Sequence, residues 1–158
     1  MDPNEKKKAL RMVTYGLYVA TSQDAEGPAG GTINWLSQAS FEPPLIMAGI
    51  KQDTRLYRAI EASRTFAVHI VGKSQKTLAT SFFKGATLEN GKLNGYAMRP
   101  GETGSPILTD APGWFEVRIT DSVRRGDHTI FVGEVVAAGT HGEGEPLTLR
   151  EAGFNYAG

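Results

Sequence analysis

The clearest periodicity lies at 115–120, where Phe115, Val117 and Ile119 alternate with Glu116, Arg118 and Thr120. That period predicts a half-buried strand. Arg125-Gly126-Asp127 breaks it, and HTIFVGEVVAAG over 128–139 predicts the returning partner strand. Val13–Ser22 is rich in Val, Thr and Tyr, reads as a strand, and runs into the turn-forming stretch QDAEGPAGG. Further strands are expected at Asn34–Phe41, at LIMAGI over 45–50, at FAVHIV over 66–71 and at PLTL over 146–149. Leu56, Ile60 and Ser63 share helical spacing behind Asp53, which predicts a helix capped by Asp53. Ser74 is expected to cap a second helix through Leu78 and Phe82. Asn4–Met12 reads as a short helix with Lys6, Lys7 and Lys8 in solvent and Leu10 inward. Residues 84–113, rich in glycine and proline, read mostly as a loop that covers a ligand or meets a partner. With no repeat and no linker, the pattern predicts a single domain over 1–158, mainly β and barrel-like, with a few short helices.

Composition narrows the chemistry. The 17 basic residues equal the 17 acidic ones, so no basic field invites nucleic acid. There are no cysteines, which excludes disulfides, thiolate catalysis and cysteine-ligated metal centres. The apolar runs are far shorter than the roughly 20 residues a membrane helix needs. The N-terminal MDPNEKKKALRM is charged, so a cytoplasmic protein with no membrane association is expected. His69, His128 and His141 fall in different elements, and no metal site is expected. Glycine numbers 19 of 158 residues, a surplus that fits tight turns and backbone packed closely on a ligand.

Three segments carry candidate chemistry. In GGTINWLSQASFEPP, small and amide residues around Trp35 suit a flat heterocycle, or Trp35 is a core residue at a strand edge. At 50–57 a strand enters a helix start bearing Thr54 and Arg55, which suits a phosphate or is an ordinary capped helix. In GDHTIFVGEV, His128 begins a strand beside a tight turn, either at a barrel mouth or simply on the surface.

Together and in this order, these segments resemble the flavin reductase-like proteins with the FMN-binding split-barrel fold, a Greek-key β-barrel. The resemblance runs from about Ala9 to Gly158. It rests on TYGLYVAT, the N-x-x-[ST]-x-x-S run before Pro43-Pro44, the Thr54-Arg55 pair, FAVHIV and GDHTIFVGEV. TINWLSQASF and the ending PLTLREAGFNYAG look most like flavoredoxin. They also resemble the reductase modules fused to rubredoxins or flavodiiron proteins.

The resemblance implies a homodimer with one FMN per subunit near the interface, reduced by NADH or NADPH. It also implies onward electron transfer to free flavin, a separate redox protein, a monooxygenase or a metal complex. It places Thr32, Asn34, Trp35, Ser37, Gln38, Ala39 and Ser40 along the isoalloxazine and ribityl chain, and Thr54 and Arg55 on the phosphate. Phe83 and Lys84 would lie by the pyrimidine end, where a cation stabilises charge on reduced flavin. His128 would be the catalytic residue near the nicotinamide, with Phe154 and Tyr156 reaching the ring from the C-terminal segment. Trp35 stands where members that serve monooxygenases often carry serine, which points away from that partner. Asp53 beside Thr54 must face away from a phosphate. The rival readings are an FMN electron-transfer protein without a nicotinamide site, and a non-catalytic FMN-binding module.

Overall fold

The computed structural model describes residues 1–158 as three helices and eleven strands. In chain order these are α1 (Pro3–Leu10), β1 (Tyr18–Asp24), β2 (Gly27–Ile33), β3 (Leu36–Ser40), β4 (Leu45–Lys51), α2 (Arg55–Ser63), β5 (Thr65–Ile70) and α3 (Lys76–Ser81). They continue as β6 (Leu88–Glu89), β7 (Lys92–Leu93), β8 (Tyr96–Pro100), β9 (Pro106–Leu108), β10 (Gly113–Arg124) and β11 (His128–Thr140). Seven strands form one antiparallel sheet in the order β2-β1-β5-β10-β11-β4-β3.

This sheet curls. Ala20 on the second strand and Ile46, Ala48 and Ile50 on the sixth belong to one core with Leu56, Tyr57 and Ile60 of α2. Phe66, Val68, Val117 and Phe131 complete it from the strands between. A flat sheet would hold its second and sixth strands far apart, since neighbours are spaced about 4.8 Å. The expected mainly β split barrel is therefore the architecture, with α2 packed into the barrel's opening.

A second core lies on the other face of β1, where Leu17 and Val19 meet α3, Phe82, Leu93, Leu108 and the C-terminal Leu147, Leu149 and Ala152. Two buried polar side chains bolt this region together. His69 Nδ1 faces the Val19 carbonyl at 2.9 Å while the Leu108 amide donates to Nε2 at 2.9 Å. Those partners make Nδ1 the protonated nitrogen, and burial pushes the imidazole down to about 4. The Glu116 carboxylate accepts from the amides of Glu102 and Thr103 and from the Thr103 hydroxyl, fixing the turn before β9.

Several expectations change. Residues 84–113 are not mostly loop: β6 to β9 form a four-stranded sheet. Asn90-Gly91 and Asn94-Gly95 all have positive φ and join strands whose ends pair directly, as in type I′ hairpins. Strands of two to five residues are too short to show an alternating pattern. Thr54, not Asp53, caps α2: its hydroxyl accepts from the Tyr57 amide at 3.1 Å and donates to the Lys51 carbonyl at 2.8 Å. Asp53 turns instead toward Lys51, 3.5 Å away. α3 starts after Gln75 with no side-chain cap. Gln75 bridges the Gly72 amide and the Asp110 carbonyl, and Ser74 does not cap the helix. PLTL makes only isolated bridges to Gly72 and Gly16, not a strand. Leu10 is exposed and α1 buries nothing, because eight residues with three consecutive lysines present no apolar stripe.

Candidate functional site

Five chain segments converge on one cleft of about 780 Å³. They are residues 30–34 at the end of β2, 49–51 at the end of β4, 53–56 at the start of α2, 82–85 after α3, and 153–156 at the C-terminus, joined by Leu17, His128 and Leu149. The volume falls in the range of small-molecule and cofactor sites, roughly 300–1,000 Å³.

His128 opens β11 opposite Lys51 of β4. Its Nδ1 lies 2.7 Å from Asp127 Oδ1, and its Nε2 lies 2.9 Å from the Tyr156 hydroxyl. The hydrogen bond to His128 holds the Asp127 carboxyl below the ordinary carboxylate range. Burial pushes the Tyr156 phenol up. With Asp127 accepting the Nδ1 proton, Nε2 is left to accept from the phenol. Trp35 backs this chain of groups. Its ring lies 4.4 Å from the imidazole and 5.4 Å from Tyr156, centroid to centroid. The indole reaches this close because Gly49 leaves the space: a Cβ there would stand 3.2 Å from Trp35 Cε3. The indole Nε1 is buried without a partner. Behind it, the buried Asn34 amide donates to the Tyr156 carbonyl at 3.2 Å, tying the C-terminal segment across the cleft.

At the start of α2, Arg55 forms a bidentate pair with Asp24, with nitrogen–oxygen distances of 2.9 and 2.6 Å, and also donates to the Gly27 carbonyl. Glu26 stands 3.6 Å away. The bond to Arg55 lowers the Asp24 carboxyl, and reciprocally Asp24 raises Arg55. Lys51 faces Asp53, which leaves Lys84 as the cleft cation without a carboxylate partner. Phe83 and Phe154 meet edge to face at 4.9 Å beside it.

Of the residues singled out from sequence, Thr32, Asn34, Thr54, Arg55, Phe83, Lys84, His128, Phe154 and Tyr156 line this cleft. The Thr32 hydroxyl is already committed to the Ala79 carbonyl at 2.6 Å. Trp35 stands just behind the lining. Ser37, Gln38, Ala39 and Ser40 lie on the edge strand β3, outside the cleft, with Ser37 to Ala39 exposed. Sequence reasoning passed over Gly30, Gly31, Gly49, Asp24 and Asn155. Adjacent glycines inside a strand pattern signal close backbone approach and pointed to the first two. Nothing local marks Asp24 as the partner of Arg55. The donor set suits a flat, anionic cofactor: apolar walls from Ile33, Ile50, Leu56 and Phe83, a helix start, and free charge at Lys84.

Residues 10–158 match the flavin reductase like domain. The chain is 31% identical over 129 residues to the NADH:FMN oxidoreductase of Rhodococcus qingshengii, covering 82% of this chain and 66% of that one. It is 28% identical over 153 residues to the NADH-dependent flavin reductase StyB of Pseudomonas fluorescens, covering 96% and 87%. The styrene monooxygenase flavin reductase of Pseudomonas putida S12 superposes with a TM-score of 0.76 at 30% identity, covering 93% and 91%. The chain spans 43% of the length of a 31% identical Rhizobium meliloti (strain 1021) relative. A match across residues 10–158, on a curled sheet with this cleft at its mouth, places the chain in the flavin reductase-like family.

Proposed function

We propose that residues 1–158 form one FMN-binding domain that takes electrons from NADH or NADPH and passes them to free flavin, a redox protein or a monooxygenase. The observation that carries this reading is the convergence of His128, Lys84, the α2 start and the C-terminal aromatics on one cleft. Relatives named NADH:FMN oxidoreductase and NADH-dependent flavin reductase support it. One relative named as the reductase component of a 4-nitrophenol monooxygenase supports a monooxygenase acceptor despite Trp35.

Bound FMN would supply hydride acceptance and stepwise electron release. The chain's residues then do four things. Thr54 and Arg55 meet the phosphate at the start of α2. Lys84, unpaired, offers its charge to the negative charge that reduction brings. Trp35 and Gly49 hold the His128 ring in one orientation, and Asp127 fixes its tautomer. His128 then presents Nε2 toward the incoming nicotinamide once the Tyr156 hydroxyl gives way.

A homodimer fits the outer face of β10, β11 and β4. There Val123 pairs with Ile130, Met47 pairs with Val132, and Met47, Val123 and Ile130 stand exposed next to the Gly49–Trp35 contact. Light scattering should return the mass of two chains. No helix is long and apolar enough to cross a membrane.

Anaerobic mixing of the FMN-loaded protein with NADH and with NADPH tests the activity: the flavin absorbance should bleach with at least one. One observation favours a second reading, electron transfer without a nicotinamide site. Both His128 nitrogens are already bonded within the chain. Absence of bleaching with either donor would select that alternative.

A further inference from the structure

His128 takes its position from a loop that does not hold itself. Residues 125–127 join β10 to β11 and make no backbone hydrogen bond with one another. The Asp127 side chain is 87% exposed, and its carboxylate bonds nothing but the His128 ring. An exposed carboxylate on an unbraced loop cannot fix an imidazole unless something else fixes the loop.

That anchor is Gln52, the first residue after β4. Its backbone amide donates to the Asp127 carbonyl at 3.0 Å, and its side-chain Nε2 donates to the Gly126 carbonyl at 2.9 Å. The same Nε2 donates to the Thr129 hydroxyl oxygen at 3.1 Å, and that hydroxyl donates to the Tyr57 hydroxyl at 3.3 Å. Thr129 and Tyr57 are buried, and Tyr57 belongs to the core that α2 shares with the barrel. Gln52 thus grips the two carbonyls before His128 and the hydroxyl after it, with the core as its footing. A carbonyl can only accept, so this grip requires a donor at the end of the side chain. Gln52 itself does not line the cleft.

The partner of one imidazole nitrogen sets which nitrogen carries the proton. Resting on the reading of His128 as the residue that meets the nicotinamide, we propose that Gln52 is a positioning residue for His128. It clamps the Gly126 and Asp127 carbonyls, so that Asp127 stays on Nδ1 and Nε2 is the nitrogen offered to the cleft.

The test compares the FMN-loaded wild type with Gln52→Leu, which keeps the bulk and deletes the donor, and with Gln52→Ala, each checked by its melting temperature. Nitrogen NMR of histidine-labelled protein in mildly alkaline buffer reads the His128 tautomer, identified by the signal that His128→Ala lacks. Wild type should carry the proton on Nδ1, and both variants should show a mixture. Bleaching by NADH or NADPH should slow roughly fivefold, as for one net hydrogen bond lost, while FMN affinity holds. In the His128→Ala background, Gln52→Leu should slow bleaching no further, because residues that act as one unit are not additive. An unchanged tautomer in both variants overturns the clamp. So does a slowing that persists in full without His128, or FMN affinity lost in step with the rate, since either makes Gln52 a structural residue only. If neither donor bleaches wild type, the nicotinamide reading fails, and the tautomer comparison still decides the clamp.

Discussion

The Tyr156 hydroxyl lies 2.9 Å from Nε2 of His128, so the last residues of the chain close the site that the start of β11 opens. The Asn34 amide holds the Tyr156 carbonyl at the same time. The ring nitrogen that a nicotinamide would address is therefore occupied by the chain's own phenol, which gives the first prediction.

Tyr156→Phe keeps the aromatic packing against Trp35 and removes the competing hydroxyl. A hydrogen bond of this kind contributes about 1 kcal/mol net, so KM for NAD(P)H should fall by roughly fivefold while FMN affinity holds. Steady-state kinetics at fixed FMN checks this. A rise in KM would mean that the phenol contacts the donor rather than competing with it.

His128→Ala should slow flavin bleaching by NAD(P)H by roughly tenfold or more and leave the protein yellow. The residue touches Trp35 and Tyr156, whereas the Arg55 guanidinium is bound to Asp24 and Gly27. Stopped-flow mixing reads the rate, and equilibrium titration reads FMN binding. Lost FMN with unchanged bleaching in the residual holoprotein would reverse the assignment.

Arg55 is shared between the proposed phosphate and Asp24, so the two substitutions should move binding in opposite directions. Arg55→Ala removes a charge-assisted bond of about 1.5–3 kcal/mol and should cut the preference for FMN over riboflavin roughly 10- to 150-fold. Asp24→Asn releases the guanidinium from its carboxylate and should raise that preference severalfold. Titrating both flavins against both variants checks this. The idea fails if D24N leaves the ratio where it was.

The buried His69 makes stability depend on pH. Its folded-state value is near 4, against about 6.5 for the free side chain. Between those values the unfolded chain binds the extra proton, so stability is full above about pH 6.5 and falls as pH drops toward 4. The total loss is about 3 kcal/mol. Urea unfolding from pH 7 to pH 4 should show that slope, and His69→Gln should flatten it. An equal slope in the variant would place the titration elsewhere.

Much of the architecture was legible because it rests on local rules. The alternation at 115–120 and its return after Asp127 specify β10 and β11, and the spacing of Leu56 and Ile60 specifies α2. The Asn-Gly dipeptides at 90–91 and 94–95 also announced hairpins, but inside strands too short to show a period they read as loop. Caps depended on competition between neighbours. Thr54 displaced Asp53 because its hydroxyl can bond both the Tyr57 amide and the Lys51 carbonyl, whereas Asp53 is drawn to Lys51.

By itself, then, the sequence determined the strand-rich class, the absence of thiol chemistry, the balanced charge and which segments carry candidate chemistry. Those properties are set residue by residue or by short-range periodicity. Only the tertiary structure decided which of those segments meet. Asp24 and Arg55 are 31 residues apart, His128 and Tyr156 are 28 apart, and Asn34 and Tyr156 are 122 apart. Each pairing exists because the sheet curls until its second and sixth strands share one core, bringing the end of β4, the start of β11 and the C-terminal segment to one rim. That closure comes from summed side-chain packing across seven strands, which no local window of sequence contains.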